Sequence, residues 1–464
     1  MRQFKILGVT MAAALLVAAC GGGSDSVQAP AIQYTSLVSF GDSLSDVGTY
    51  KVGTVAALGG GTYSVNGITG AIPSKNWTEL MAAQIGVAAP CPAQTGLDGD
   101  PMQGFSVTVA NDPLCRNYAQ GGARVTDPVG PGNKLLGGGN AVLGQLTVPI
   151  VTQISNHLTV VGGSFSGTEL VTVMAGGNDA LRLLDTLVAN ATAAGAAAGA
   201  AAGAQTFAST LVGLLAAGAT DPTAAAGAIG AALSALPAGT SSTVLVGTAV
   251  ATAAAQPGNA AVASPAVYGP MVASAQAAAT TAGNAAGAAA GAAYAKANGA
   301  AEAVFPMGEA GKQLAGYIKT QIVGKGAKYV AVVNLPDLSS TPSATGQSAD
   351  TQGLILNMVI YFNEVLAYEL RNTAGVQVVD AFAATRSQIA DPSSYGLSNV
   401  TGTACDLTAP SPNALGSSLV CNALNVKAGD VSKYLFADTV HPTPYGYKLL
   451  ADLVTKNLTR VGWL

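Results

Sequence analysis

Charge is scarce in this 464-residue chain: 9% of residues are charged, and 20 basic against 24 acidic side chains leave a formal charge of −4. Such a balance leaves no basic footprint for a nucleic acid and little pull towards anionic lipid, so polynucleotide binding is excluded as the main role. Aromatic residues are few, at 5%, whereas Gly numbers 58. Much of the 49% hydrophobic fraction is therefore small Ala, and part of the length is biased sequence rather than extra core. Beyond the N-terminus, Gly, Thr, Asn and Pro break the apolar stretches before about 18 residues, which argues against a multi-span membrane protein. Histidine is limited to His157 and His441, and cysteine to five residues. No CxxC pair or His cluster accompanies the cysteines, so neither a zinc site nor another metal is expected.

Arg2 and Lys5 precede an apolar run from Ile6 to Ala19, the charged and hydrophobic regions of a secretory signal. The run ends Val17-Ala18-Ala19-Cys20, which resembles the bacterial lipobox, whose Cys is acylated and becomes the mature N-terminus. An ordinary signal followed by an incidental Cys is the alternative. Under the lipobox reading Gly21 to Ser26 would be a flexible tether, and Gly21 in place of Asp implies, by resemblance to lipoprotein sorting, the outer membrane. With Cys20 set aside, four cysteines remain, an even number that suggests two disulfides in an exported chain. Of the three connectivities, Cys91–Cys115 with Cys405–Cys421 is expected, because each closes a short Gly/Pro-rich segment.

Near-continuous apolar runs at Tyr34 to Phe40, Leu170 to Ala175, Tyr329 to Asn334 and Val376 to Asp380 read as strands covered on both faces. Asn117 to Ala119 is expected to end one further short strand. Helical patterns lie between them. Trp77, Leu80, Met81 and Ile85 share a face after Ser74 or Asn76, and Leu449, Leu450, Leu453, Val454 and Leu458 mark the final helix. Alternating strand and helix imply an α/β/α layered fold, in which ligands bind beyond the carboxyl ends of the strands.

Those ends carry reactive residues. Gly41-Asp42-Ser43-Leu44 follows the first strand, and Ser43 is expected at the start of a helix, with its hydroxyl exposed and its N–H aimed at any developing anion. Gly122 in Gln120-Gly121-Gly122-Ala123 offers an unobstructed N–H, Asn178 supplies an amide, and Asp438 stands three residues before His441. Acyl transfer by Ser needs a base, a carboxylate to orient that base, and fixed donors for the oxyanion. His157, at the end of a helical run, is expected to interact with the last carbonyls of that helix.

Together these blocks resemble the GDSL esterase/lipase (SGNH hydrolase) family, and within it the bacterial secreted lipase-acylhydrolase or lecithinase-like branch. Val332-Val333-Asn334-Leu335-Pro336-Asp337 and Asn76-Trp77 add to the likeness. The resemblance implies a flavodoxin-like sheet of about five parallel strands, Ser43 as nucleophile, His441 and Asp438 as base and acid, and Ser43, Gly122 and Asn178 as oxyanion donors. It also implies a cofactor-independent ester hydrolase acting on a lipid or other small-molecule ester. A carbohydrate O-deacetylase of the same family and an envelope lipoprotein with a structural role are the alternatives. The expected organisation is a signal over 1–19, a lipid-anchored tether over 20–33 and a hydrolase domain over 34–464. The site of action is expected to be the cell envelope, as an outer-membrane lipoprotein, or the extracellular space.

An Ala/Gly-rich insertion over 189–301 interrupts that domain. Gly195, Gly199 and Gly203, then Gly283, Gly287 and Gly291, fall on single helix ridges at a four-residue spacing. An antiparallel helical hairpin is expected, with an apolar face suited to acyl chains.

Overall fold

The computed structural model of the chain describes residues 32–67, 74–408, 413 and 415–464. Cys20, the expected signal and nearly all of the expected tether lie outside the described residues. Four strands, β1 (Leu37–Gly41), β2 (Leu170–Met174), β3 (Tyr329–Val333) and β4 (Val376–Val379), form one sheet in that order. All pairings are parallel, with Leu37 opposite Leu170, Leu170 opposite Tyr329 and Val330 opposite Val376.

The strands' alternating side chains feed two separate cores, the reason for the layered form. Val38, Phe40, Val171, Val173, Val330 and Val332 pack on one face under α2 (Ile150–Val160), α5 (Phe305–Tyr317) and α6 (Ala349–Leu370). Leu37, Leu170, Met174, Ala331 and Val333 pack on the other under α1 (Trp77–Gln84) and α7 (Pro444–Arg460). Asn76 starts α1 through a capping box, accepting from Thr78 N–H at 2.9 Å while Glu79 accepts from the Asn76 N–H at 2.8 Å.

The sheet has four strands, and the expected fifth is present only as isolated parallel bridges of Asn117 with Ser39 and with Pro92. The Asn117 side chain accepts the Ala119 N–H at 3.1 Å, while the backbone stays bonded to β1 through the Tyr118 N–H to Ser39 at 2.8 Å and the Gln120 N–H to Gly41 at 3.1 Å. The edge is closed covalently: Cys91 is bonded to Cys115, and Cys405 to Cys421 elsewhere in the chain. His157, on α2, does not bond the last carbonyls with its ring. It is buried among Phe40, Tyr118 and Phe165, its Nδ1 3.3 Å from the Tyr118 hydroxyl and its Nε2 without a partner. Burial, helped by Arg116, pushes its pKa down to about 4, so the ring is neutral.

The Ala/Gly-rich segment is helical. A 40-residue helix, α3 (Gly177–Ala216), rises from the sheet and a 35-residue helix, α4 (Pro265–Gly299), returns. Shorter helices at Pro222–Ser234 and Ser242–Ala254 close the far end around Leu211, Leu215, Ile229 and Val262. A Cβ on Gly195 would lie 2.7 Å from the Gly287 carbonyl oxygen, and one on Gly199 2.7 Å from that of Gly283. Backbone is thus in contact with backbone at successive turns. Helices α3 and α6 are long and apolar enough to cross a membrane by length and composition; here α6 packs on the sheet and α3 on α4.

This crossing separates two otherwise identical substitutions. Gly227→Ala, where nothing lies within 4 Å of the added methyl, should raise the unfolding free energy by up to about 1 kcal/mol through helix propensity. Gly195→Ala should lower it by about 1 kcal/mol or more, because overpacking against a backbone carbonyl outweighs that gain. Equal urea midpoints for the two variants would contradict the close crossing.

Candidate active site

The chain leaves β1 at Gly41 and enters a tight turn, with the Ser45 N–H donating to the Asp42 carbonyl at 3.0 Å. Ser43 lies in this turn and not at the start of a helix. The Asp46 carboxylate accepts the Gly48 and Thr49 N–H groups, each at 2.8 Å, and turns the backbone away before a helix can form. Neighbouring elements clamp the turn through side-chain amides. Gln153 of α2 accepts the Gly41 N–H at 2.9 Å and donates to the Gly41 carbonyl at 2.8 Å. Asn76 donates to Leu44 at 2.8 Å and Asn117 to Ser45 at 2.9 Å.

His441 arrives from the loop before α7, 398 residues away in sequence, with Nε2 2.8 Å from Ser43 Oγ. Its Nδ1 lies 2.8 Å from Asp438 Oδ2 and 3.0 Å from Oδ1. Asp438 also accepts the Val440 and His441 N–H groups at 2.9 and 2.7 Å, and that of Ser418 at 2.9 Å. Burial opposes the charge on Asp438, but His441 and these donors together hold its carboxyl well below the usual range. Burial alone would depress the imidazole; the Asp438 carboxylate, with a smaller push from Asp42, raises its pKa above the ordinary value instead. The two ring nitrogens thus face different partners, Nδ1 the Asp438 carboxylate and Nε2 the Ser43 hydroxyl.

Ser43, Gly122, Asn178 and His441 line one cavity of about 1180 Å³. Gly122 has φ +81, and a Cβ there would lie 2.1 Å from the Pro131 carbonyl oxygen, so no other residue fits. Asn178 stands in the first turn of α3 and donates one amide hydrogen to the Ala123 carbonyl at 2.9 Å, which leaves the second for the cavity. Every expected reactive residue among the described ones thus converges, whereas Cys20 lies outside them. Among the described residues no group of His, Cys, Asp or Glu could hold a metal ion.

Sequence reading missed the supports. The Tyr63 ring lies against His441, centroids 4.8 Å apart, and its hydroxyl accepts from Gln145. The Ser418 N–H supplies a donor to Asp438 from a loop with no period or motif. Asp46 Oδ2 accepts the Gly121 N–H at 3.0 Å and so joins the Ser43 turn to the Gly122 loop; only the acidic residue at the end of Gly41 to Asp46 hinted at it.

The parallel α/β sheet, with the site beyond its strand ends, is the layered α/β architecture of an ester hydrolase. Residues 289–454 match the family model described as GDSL-like Lipase/Acylhydrolase; the match takes in Asp438 and His441 and begins after Ser43, Gly122 and Asn178. The chain is 33% identical over 134 residues to the "Uncharacterized protein in trpE-trpG intergenic region" of Pseudomonas putida, covering 27% of this chain and 21% of that protein. Esterase EstA of Pseudomonas aeruginosa and Esterase EstA of Pseudomonas putida are each 32% identical over 145 residues, 30% of this chain and 20% of theirs. The matched segment spans about a fifth of the length of these relatives.

The geometry fixes a pH dependence. A base must be neutral to accept a proton, so kcat/KM for ester cleavage should fall as pH drops through the raised His441 pKa. Asp438→Asn removes the charge that raises it, so the acid limb should move to lower pH while kcat drops by about 10⁴. A limb that stayed in place in pH–rate profiles of this variant would assign it to another group.

Proposed function

We propose that this chain is a serine ester hydrolase working through an acyl-enzyme. The observation that carries the reading is the continuous Ser43–His441–Asp438 hydrogen-bond chain opening into a largely apolar cavity. His441 Nε2 takes the Ser43 proton as Oγ attacks the ester carbonyl. The tetrahedral oxyanion is received by the Ser43 and Gly122 N–H groups and the free amide hydrogen of Asn178. His441 then returns the proton to the departing alkoxide, and water, activated by the same imidazole, releases the acid. The step needs no cofactor. Leu184, Val188, Ile355, Met358 and Leu450 among the lining residues support a lipid-like ester over a sugar acetate, since apolar walls cannot satisfy hydroxyl groups.

Ser43→Ala should abolish turnover of a nitrophenyl ester and covalent labelling by a fluorophosphonate, with an unchanged circular dichroism spectrum. Wild-type rates in that variant would remove Ser43 from the mechanism. A strict preference for acetylated sugars across an ester panel would favour the O-deacetylase.

We further propose that the protein is exported and held at the cell envelope through acylated Cys20, as an outer-membrane lipoprotein, with domain limits as set out from the sequence. Mass spectrometry of the exported protein should find a diacylglyceryl group on an N-terminal Cys20. An unmodified N-terminus at another residue would exclude the anchor.

A further inference from the structure

The cavity around Ser43 is far larger than the reacting atoms need, and its parts differ in position relative to the two halves of an ester. This inference rests on the ester-hydrolase reading above. The leaving alcohol must lie by His441 Nε2, which protonates it, and Val440 and Pro442 line that side. The acyl part must then run away from His441, past the oxyanion side marked by Asn178. Asn178 opens α3, and Leu181, Leu184 and Val188 follow at helical spacing along the cavity wall, facing Thr351, Ile355 and Met358 of α6.

We propose that this channel between α3 and α6 is the acyl-chain site, that the ester carries a long aliphatic acyl group, and that Leu184 and Val188 set the accepted length. Asn178 to Val188 covers about 15 Å along the helix. With C–C bonds of about 1.5 Å in a zigzag, a chain of roughly a dozen carbons spans the same distance. The channel does not end there. Leu184, Val188 and Thr351 also line a second cavity, of about 1030 Å³, that continues between α3 and α4, so a longer chain has somewhere to go. Val188 is 54% exposed, so its side chain is accessible to a chain lying in the channel. Asp185, the acidic residue on this wall, is paired with Arg182 at 3.0 Å.

Each buried methylene is worth a factor of roughly four in binding. The wild-type protein should therefore favour the dodecanoate over the butanoate nitrophenyl ester in kcat/KM by at least tenfold. Val188→Trp places a ring across the channel at a position exposed enough to take it, and Leu184→Trp does so nearer Ser43. Each should reduce the dodecanoate-to-butanoate ratio at least tenfold, with Leu184→Trp affecting the shorter decanoate as well. An unchanged ratio in both variants would overturn the assignment. Independently of any variant, a dodecyl fluorophosphonate should inactivate the wild-type protein at least tenfold faster than a butyl one, and equal rates would also overturn it. The failures are separable. Labelling at Ser43 with a flat chain-length profile removes the acyl site alone, whereas no hydrolysis and no labelling by either probe removes the ester-hydrolase reading with it.

Discussion

A buried carboxylate that makes no contact with the reacting atoms holds the site together. Asp46 accepts three backbone N–H groups, two from its own turn and one from Gly121, and so fixes the loop that bears Ser43 relative to the loop that bears Gly122. Neither loop belongs to a helix or strand, and their amides would otherwise be buried without partners, at a cost of about 1–3 kcal/mol each. The same problem recurs around the cavity and is met the same way. Gln153 closes on Gly41, Asn76 on Leu44, Asn117 on Ser45 and Asn178 on Ala123. The sheet supplies a rigid base, but side-chain amides and one carboxylate set the distances above it.

The insertion is coupled to this arrangement by continuity of one helix. Asn178 and the first glycine of the hairpin contact, Gly195, lie on α3 without a break, so the position of the amide and the direction of the hairpin cannot vary independently. An insertion joined through loops would leave the oxyanion side indifferent to it. Here the small residues let α4 approach to backbone contact, which stiffens a helix that buries little against the rest of the fold.

How much of this was legible in the sequence depended on range. Strands β1 to β4 were marked by apolar runs that needed no knowledge of their partners, and the ridge spacing of Gly195, Gly199 and Gly203 announced a close helix crossing. Ser43 and Asn178 were visible because each follows a strand in a short polar motif, and Gly122, Asp438 and His441 because each lies in a short Gly- or acid-bearing motif. The absent helix at Ser43 has a local cause: the Asp46 carboxylate captured the Gly48 and Thr49 N–H groups and redirected the backbone, a competition that propensity does not register. Tyr63 against His441 and Ser418 on Asp438 were hidden for the opposite reason. They are contacts between irregular segments distant in sequence, and neither residue is part of a pattern.

The two disulfides follow the same physics. Cys91–Cys115 closes the edge where Asn117 reaches both Ser39 and Pro92 through isolated bridges, so a covalent link stands beside a segment without a full strand ladder. Cys405–Cys421 spans the segment that presents the Ser418 N–H to Asp438, and the Cys405 N–H itself donates to Ala437 beside the acid. With separations of 24 and 16 residues, each link removes unfolded-state entropy worth about 3 kcal/mol on the loop-closure model. That stabilisation is greatest in value where regular structure is absent. Around this site the donors and acceptors come from loops, and the loops are held by cross-links and buried side chains in place of the ladders that hold the sheet.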